Sequence, residues 1–159
     1  MDRKAAPPDA VVIERSFDAP IELIWQMWTV PEHFTEWYGP DGVTVVAREM
    51  DVRVGGRRLI GMEMPSPDAP RWMWFAGEFI VVVDNEQLVY TDFHSDEAGT
   101  PLADSAGGDP QVTEVRIELA EVAGQTRMVM THTGIASDSP GAAGWAMAFA
   151  KLADRIAQT

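Results

Sequence analysis

Cysteine is absent from this chain, which removes disulfides, thiol nucleophiles and thiolate metal sites together. Basic residues are scarce: 12 Lys and Arg stand against 25 Asp and Glu, a formal charge of −13. So acidic a surface repels phosphate backbones and anionic lipid, so nucleic acid is not an expected partner. Long hydrophobic runs are missing too. The apolar stretch Phe79–Val83 is far too short to span a bilayer, so no membrane insertion is expected. The opening Met1-Asp2-Arg3-Lys4-Ala5-Ala6-Pro7-Pro8 has no secretion-signal core, which makes the cytoplasm the expected compartment. There is no P-loop, no Gly-x-Ser-x-Gly elbow and no Gly-x-Gly-x-x-Gly loop, so neither a nucleotide cofactor nor a serine-hydrolase nucleophile is expected.

What is present is 46% apolar content in 159 residues, enough for one sizeable core. Residues 1–10 read as a flexible tail and 11–159 as a single domain. Period-two alternation predicts a strand over Val11–Phe17, with Val11, Ile13, Arg15 and Phe17 on one face. Pro20 opens a helix whose Ile21, Ile24, Trp25 and Trp28 form one apolar stripe. Thr29-Val30-Pro31-Glu32 has capping-box spacing for a second short helix, which Tyr38-Gly39-Pro40 stops.

From Val43 the signals become those of strands: Val43–Met50, then Arg57–Met64 with Arg58, Ile60, Met62 and Met64 on one face. Trp72–Val83 is too apolar on both sides for alternation to separate inside from outside. Asp84-Asn85 turns the chain into Gln87–His94, where Leu88, Tyr90, Asp92 and His94 share a face. Ser95–Pro110 reads as a loop longer than most connections in compact domains. Thr113–Leu119 alternates most clearly, and Thr126–Thr133 groups Met128, Met130 and His132 inward. Ser139 then caps a long helix with Pro140 at its first position and Trp145, Phe149, Leu152 and Ile156 in its stripe.

Three histidines and many carboxylates raise the question of a metal. Yet no paired-ligand spacing such as His-Glu-x-x-His occurs. No metal or other cofactor is expected. His132 has three readings: a structural hydrogen bond, a ligand contact, or proton transfer from a buried imidazole. Arg58 and Asp92, if inward, form an internal ion pair or orient a polar ligand, because an unpaired buried charge costs several kcal/mol.

Phe17-Asp18-Ala19-Pro20 with Trp25, Pro31-Glu32 leading to Trp37-Tyr38-Gly39-Pro40, Gly55-Gly56 with Met62, Gly77 before Phe79, Glu86 to Thr91 and the terminal Gly144-Trp145 occur here in an order and spacing that extend over nearly the whole chain. In these it resembles the SRPBCC superfamily of START/Bet v 1-like proteins, in the branch similar to the activator of the heat-shock-protein-90 ATPase. The resemblance implies an α+β helix-grip fold, in which a curved antiparallel sheet wraps a long C-terminal helix and two short helices follow the first strand. It implies a cavity between sheet and helix, with Trp37 and Tyr38 near one end. The implied ligand-binding residues are Trp37, Tyr38, Arg58, Met62, Tyr90, Asp92, His94, Met130, His132, Trp145 and Phe149, and Ile60, Val115, Ile117 and Met128 would also contribute to the wall. Arg58 and Asp92 depart from the branch, which often has aromatic side chains there.

The leading functional expectation is binding of a hydrophobic or aromatic small molecule by a monomer or homodimer. A cyclase/aromatase-like or hydrolytic enzyme using the pocket His or Asp is the alternative. Chaperone ATPase co-regulation ranks last.

Overall fold

A computed structural model describes residues 9–103 and 111–159. Seven antiparallel strands form one sheet in the order β1-β7-β6-β5-β4-β3-β2, a curved open surface with a long helix against it. Strand β1 (Ala10–Phe17) pairs with β7 (Gln125–Thr133), which brings the two ends of the domain together. Helices α1 (Ile21–Thr29) and α2 (Pro31–Phe34) follow β1. Strands β2 (Thr44–Met50), β3 (Arg57–Met64), β4 (Arg71–Val83), β5 (Gln87–Ser95) and β6 (Thr113–Val122) run as a meander, and α3 (Pro140–Ala157) closes the chain. This is the α+β helix-grip arrangement that the resemblance implied.

Helix α3 forms as its sequence dictates. Ser139 Oγ accepts the amide proton of Ala142, Pro140 occupies the first turn, and Trp145, Ala148, Phe149, Leu152 and Ile156 are buried along one stripe. That stripe meets Trp28 of α1, Phe34 of α2 and the inward residues Val115, Ile117, Met128 and Met130 in a single core. Two indoles inside it find acceptors: Trp28 Nε1 donates to Met128 Sδ at 3.3 Å, and Trp37 Nε1 to the Met27 carbonyl at 2.9 Å.

The expected capping box does not form. Thr29 is the last residue of α1, and its hydroxyl donates back to the Trp25 carbonyl at 2.8 Å; Val30 takes the cap position of α2 without a side-chain bond. A helical hydroxyl has a carbonyl four residues behind it within reach, and that local bond wins here over the cap.

Bulges explain the ambiguous strand. In β4 the register shifts between Phe79 and Val81, so Phe75 and Phe79 point inward before the bulge and Val82, opposite Leu88, points inward after it. One extra residue reverses the parity, and no single alternation phase fits Trp72–Val83. The register also shifts between Ala47 and Glu49 on β2.

The segment expected to be a long loop begins with structure. Ser95 is buried at the end of β5 and bridges Pro101, and the Asp96 carboxylate accepts the amide protons of Ala98 and Thr100, each at 2.9 Å. Residues 104–110 and most of the expected tail, 1–8, lie outside the described residues. Ala10 of that tail already belongs to β1, and the Asp9 carbonyl accepts the Gly134 amide. No described helix is long and apolar enough to cross a membrane.

Candidate functional site

Between the N-terminal half of α3, the Tyr38-Gly39-Pro40 segment and the inward faces of β3 and β4 lies a cavity of about 290 Å³. Exposed Pro140 and Gly141 mark its mouth, while Tyr38, Trp145 and Ala148 are buried at its inner side. Met62, Met64, Met73 and Phe75 make the sheet wall, so most of the lining is apolar and, in its thioethers, deformable. Gly39 shapes the opposite rim. It has a φ of +83°, and a Cβ there would come within 2.8 Å of Val43 Cγ2 and 3.4 Å of Met62 Sδ, closing the gap from both directions.

Of the residues expected to line the site, Tyr38, Met62, Asp92, His132 and Trp145 converge on the cavity. The others lie elsewhere. Trp37, Tyr90, Met130 and Phe149 are fully buried core residues, as are Ile60, Val115, Ile117 and Met128, so side chains fill much of the space between sheet and helix. The cavity is what remains at one end. Arg58 sits behind the cavity surface, only 2% exposed. His94 is exposed at the margin, its ring edge-on to Phe75 with centroids 4.7 Å apart. Met64, Met73, Phe75 and Ala148 were missed. Met64 shares the inward face of Arg58 and Met62, and Ala148 follows Trp145 by three on a helix, so both were within reach of periodicity; Met73 and Phe75 were hidden by the β4 bulge.

Arg58 and Asp92 form an ion pair, one of the two arrangements expected of them. Arg58 Nη1 donates to Asp92 Oδ1 at 2.9 Å, across the intervening strand β4, where the register partner of Arg58 is Gly77 and no side chain stands in the way. The guanidinium lies over the Tyr90 ring, 3.8 Å from its centroid, a desolvated cation–π contact worth about 2 kcal/mol. Tyr90 Oη and Tyr38 Oη lie 2.9 Å apart, and burial raises both phenols above their ordinary value, so both stay protonated at neutral pH. Burial also pushes the Asp92 carboxyl up to about 6 against the opposing pull of Arg58. Arg58 Nη2 is buried without a hydrogen-bond partner among the described residues.

His132 is engaged on both sides of its ring. Trp145 Nε1 donates to Nδ1 at 2.9 Å, so the neutral imidazole carries its proton on Nε2, 2.8 Å from Thr113 Oγ1. The Thr113 hydroxyl in turn donates to the Asp92 carbonyl at 3.1 Å. Protonating Nδ1 would set one N–H against another. Burial, reinforced by the Arg58 charge, holds His132 down at about 4. Among the described residues no three His, Asp or Glu side chains converge as a metal site would require.

Residues 18–157 match the family model described as activator of Hsp90 ATPase homolog 1-like protein. The chain belongs to that family. Its fold recurs in several solved structures. A protein from Arthrobacter aurescens has a TM-score of 0.79 at 21% identity, covering 96% of this chain and 88% of that one. One from Mycobacterium smegmatis has a TM-score of 0.78 at 22% identity, covering 94% and 91%. The AHSA1 protein from Silicibacter pomeroyi has a TM-score of 0.74 at 19% identity, covering 94% and 98%. At such identities the likeness is one of fold. No curated protein matches the chain.

Proposed function

We propose that this member of the family binds a hydrophobic or aromatic small molecule in the cavity between α3 and the β3–β4 face. The observation that supports this reading is the cavity's composition: Met62, Met64, Met73, Phe75, Trp145 and Ala148 against three polar side chains, Tyr38, Asp92 and His132. Apolar walls drive transfer from water, and a few fixed polar groups select the pose. A volume of about 290 Å³ stands at the small end of ligand sites and suits a compound of one or two rings. Trp145 at the cavity makes tryptophan emission the natural readout. Titration with aromatic compounds of that size should quench emission saturably, and native mass spectrometry of protein from its own host should reveal a bound mass. If no compound of this size binds by either method, the reading fails.

A second reading, proton transfer on a bound substrate, falls to Asp92. A carboxyl with a midpoint of about 6 at the edge of an apolar cavity is suited to general acid or base work. His132 is not, because Trp145 occupies its basic nitrogen. With a substrate in hand, Asp92→Asn should lower turnover by about 10²-fold or more, well beyond its effect on binding; unchanged turnover would end this reading. The family description also names activation of the Hsp90 ATPase, and adding this protein to the chaperone over a concentration series is expected to leave its ATPase unchanged.

A further inference from the structure

We propose that the ligand carries a neutral hydroxyl, phenolic or alcoholic, at the end that meets Asp92, with its apolar body against Met62, Met64, Met73 and Phe75. This rests on the small-molecule reading above and narrows it to a chemical class.

The inference comes from hydrogen-bond accounting at the cavity surface. Three polar side chains line it. His132 is committed through both ring nitrogens, and Tyr38 is held by one bond to Tyr90 in which either hydroxyl donates. The indole N–H of Trp145 is spent on His132. Asp92 is different. Its Oδ1 takes the single bond from Arg58 Nη1, its Oδ2 accepts from no described residue, and its side chain is 14% exposed. Beside it, the enclosed Arg58 Nη2 lacks an acceptor. The monodentate pair therefore leaves one spare acceptor at the cavity surface, Asp92 Oδ2, while Arg58 Nη2 stays enclosed behind it.

A head group that donates to that acceptor restores the bond Asp92 loses with its water, and a neutral hydroxyl does so with one atom. Charge narrows the choice further. The Arg58–Asp92 pair sums to zero, so a neutral head enters without an uncompensated charge. A carboxylate would face the charge of Asp92 and can only accept; an ammonium would face Arg58 and can only donate. A ligand with no polar head leaves Asp92 to lose water without a replacement bond.

The test is isothermal titration calorimetry on the full chain at neutral pH with three compounds of one skeleton: 2-naphthol, 2-methylnaphthalene and 2-naphthoate. We expect 2-naphthol to bind at least about tenfold tighter than either of the others, as a site built around a hydroxyl rejects analogues lacking it. In Asp92→Asn, checked for folding by circular dichroism, the handicap of 2-naphthoate should shrink by about tenfold because the opposing charge is gone. Three similar affinities in the wild type, or preference for the methyl or carboxylate compound, would overturn the hydroxyl assignment and leave the cavity a binding site. No binding by any of the three would remove both.

Discussion

Trp145 Nε1 donates to His132 Nδ1 across 2.9 Å, and this one bond fixes the tautomer of a histidine at the edge of the cavity. Nitrogen NMR of the ring should show a neutral, Nε2-protonated imidazole down to about pH 4. In Trp145→Phe the Nδ1 lone pair is released and the midpoint should rise, while burial and the Arg58 charge still hold it below the ordinary histidine value of about 6.5. A wild-type midpoint already at that value would show that the bond does not persist in solution.

Acid stability should carry two opposing contributions. Asp92 faces Arg58 from β3, Tyr90 from its own strand and Tyr38 from the segment after α2; its midpoint, raised from 3.8 to about 6, means that the folded state holds the extra proton between those values. Its share of stability is therefore greatest below about pH 4 and is lost as pH rises through about 6. His132, facing Trp145, Thr113 and the Arg58 charge, is lowered from 6.5 to about 4, so the unfolded state holds the extra proton, and its share is lost as pH falls through that window. In urea titrations, Asp92→Asn should lose more stability relative to wild type at about pH 4 than at neutral pH, and His132→Gln the reverse. Parallel curves for all three proteins would refute both assignments.

Breaking the ion pair on one side only should be costly. Arg58→Met strands a buried carboxylate and should destabilise the protein by about 3–5 kcal/mol at neutral pH. Adding Asp92→Leu should restore most of that, since an apolar pair needs no compensation. If denaturant midpoints of the single and double variants coincide, the pair is not coupled as its 2.9 Å contact implies.

Cavity and core respond differently to substitution. Phe149, packed on Trp28, Trp37 and Trp145 but outside the cavity lining, should cost about 3–5 kcal/mol as Phe149→Ala while leaving ligand preference in order. Ala148 lines the cavity, and Ala148→Leu should reduce binding by at least about tenfold with a much smaller loss of stability, the added methyl groups occupying free volume. A variant that binds as well as wild type would place the ligand elsewhere.

Much of the fold was written in local patterns. Thr113–Leu119 alternates because one face is wet, and the Trp145/Phe149/Leu152/Ile156 stripe repeats because α3 buries one side. Both rules act over a few residues, and both hold. The site was legible in part. Parity grouped Arg58 with Ile60 and Met62, and Asp92 with Leu88 and Tyr90; the resemblance turned both groups inward, where two opposite charges had to meet or find water. Parity could not say that most of the expected wall would close up: whether Ile60, Val115 and Met130 bound a void or fill one depends on side chains from three elements at once. Nor could it find the Trp145 to His132 bond, which joins a helix to a strand through orientations that no sequence period encodes.

Light divides five of the six tryptophans into two groups that packing alone does not make obvious. Trp37 and Trp145 lie 4.7 and 6.1 Å from Trp28, all three buried. Trp72 and Trp74 stack on the outer face of β4 at 5.6 Å and 16°, with the Arg48 guanidinium 4.5 Å from the Trp74 ring and Gly61 beneath it, where a Cβ would strike the indole. The inner group should emit at shorter wavelength and resist acrylamide, while Trp72, 42% exposed, is quenched freely. A ligand near Trp145 would then drain excitation from two donors besides its own contact, and the outer pair would supply a constant background. Replacing Trp72 and Trp74 would turn the protein into its own cleaner sensor.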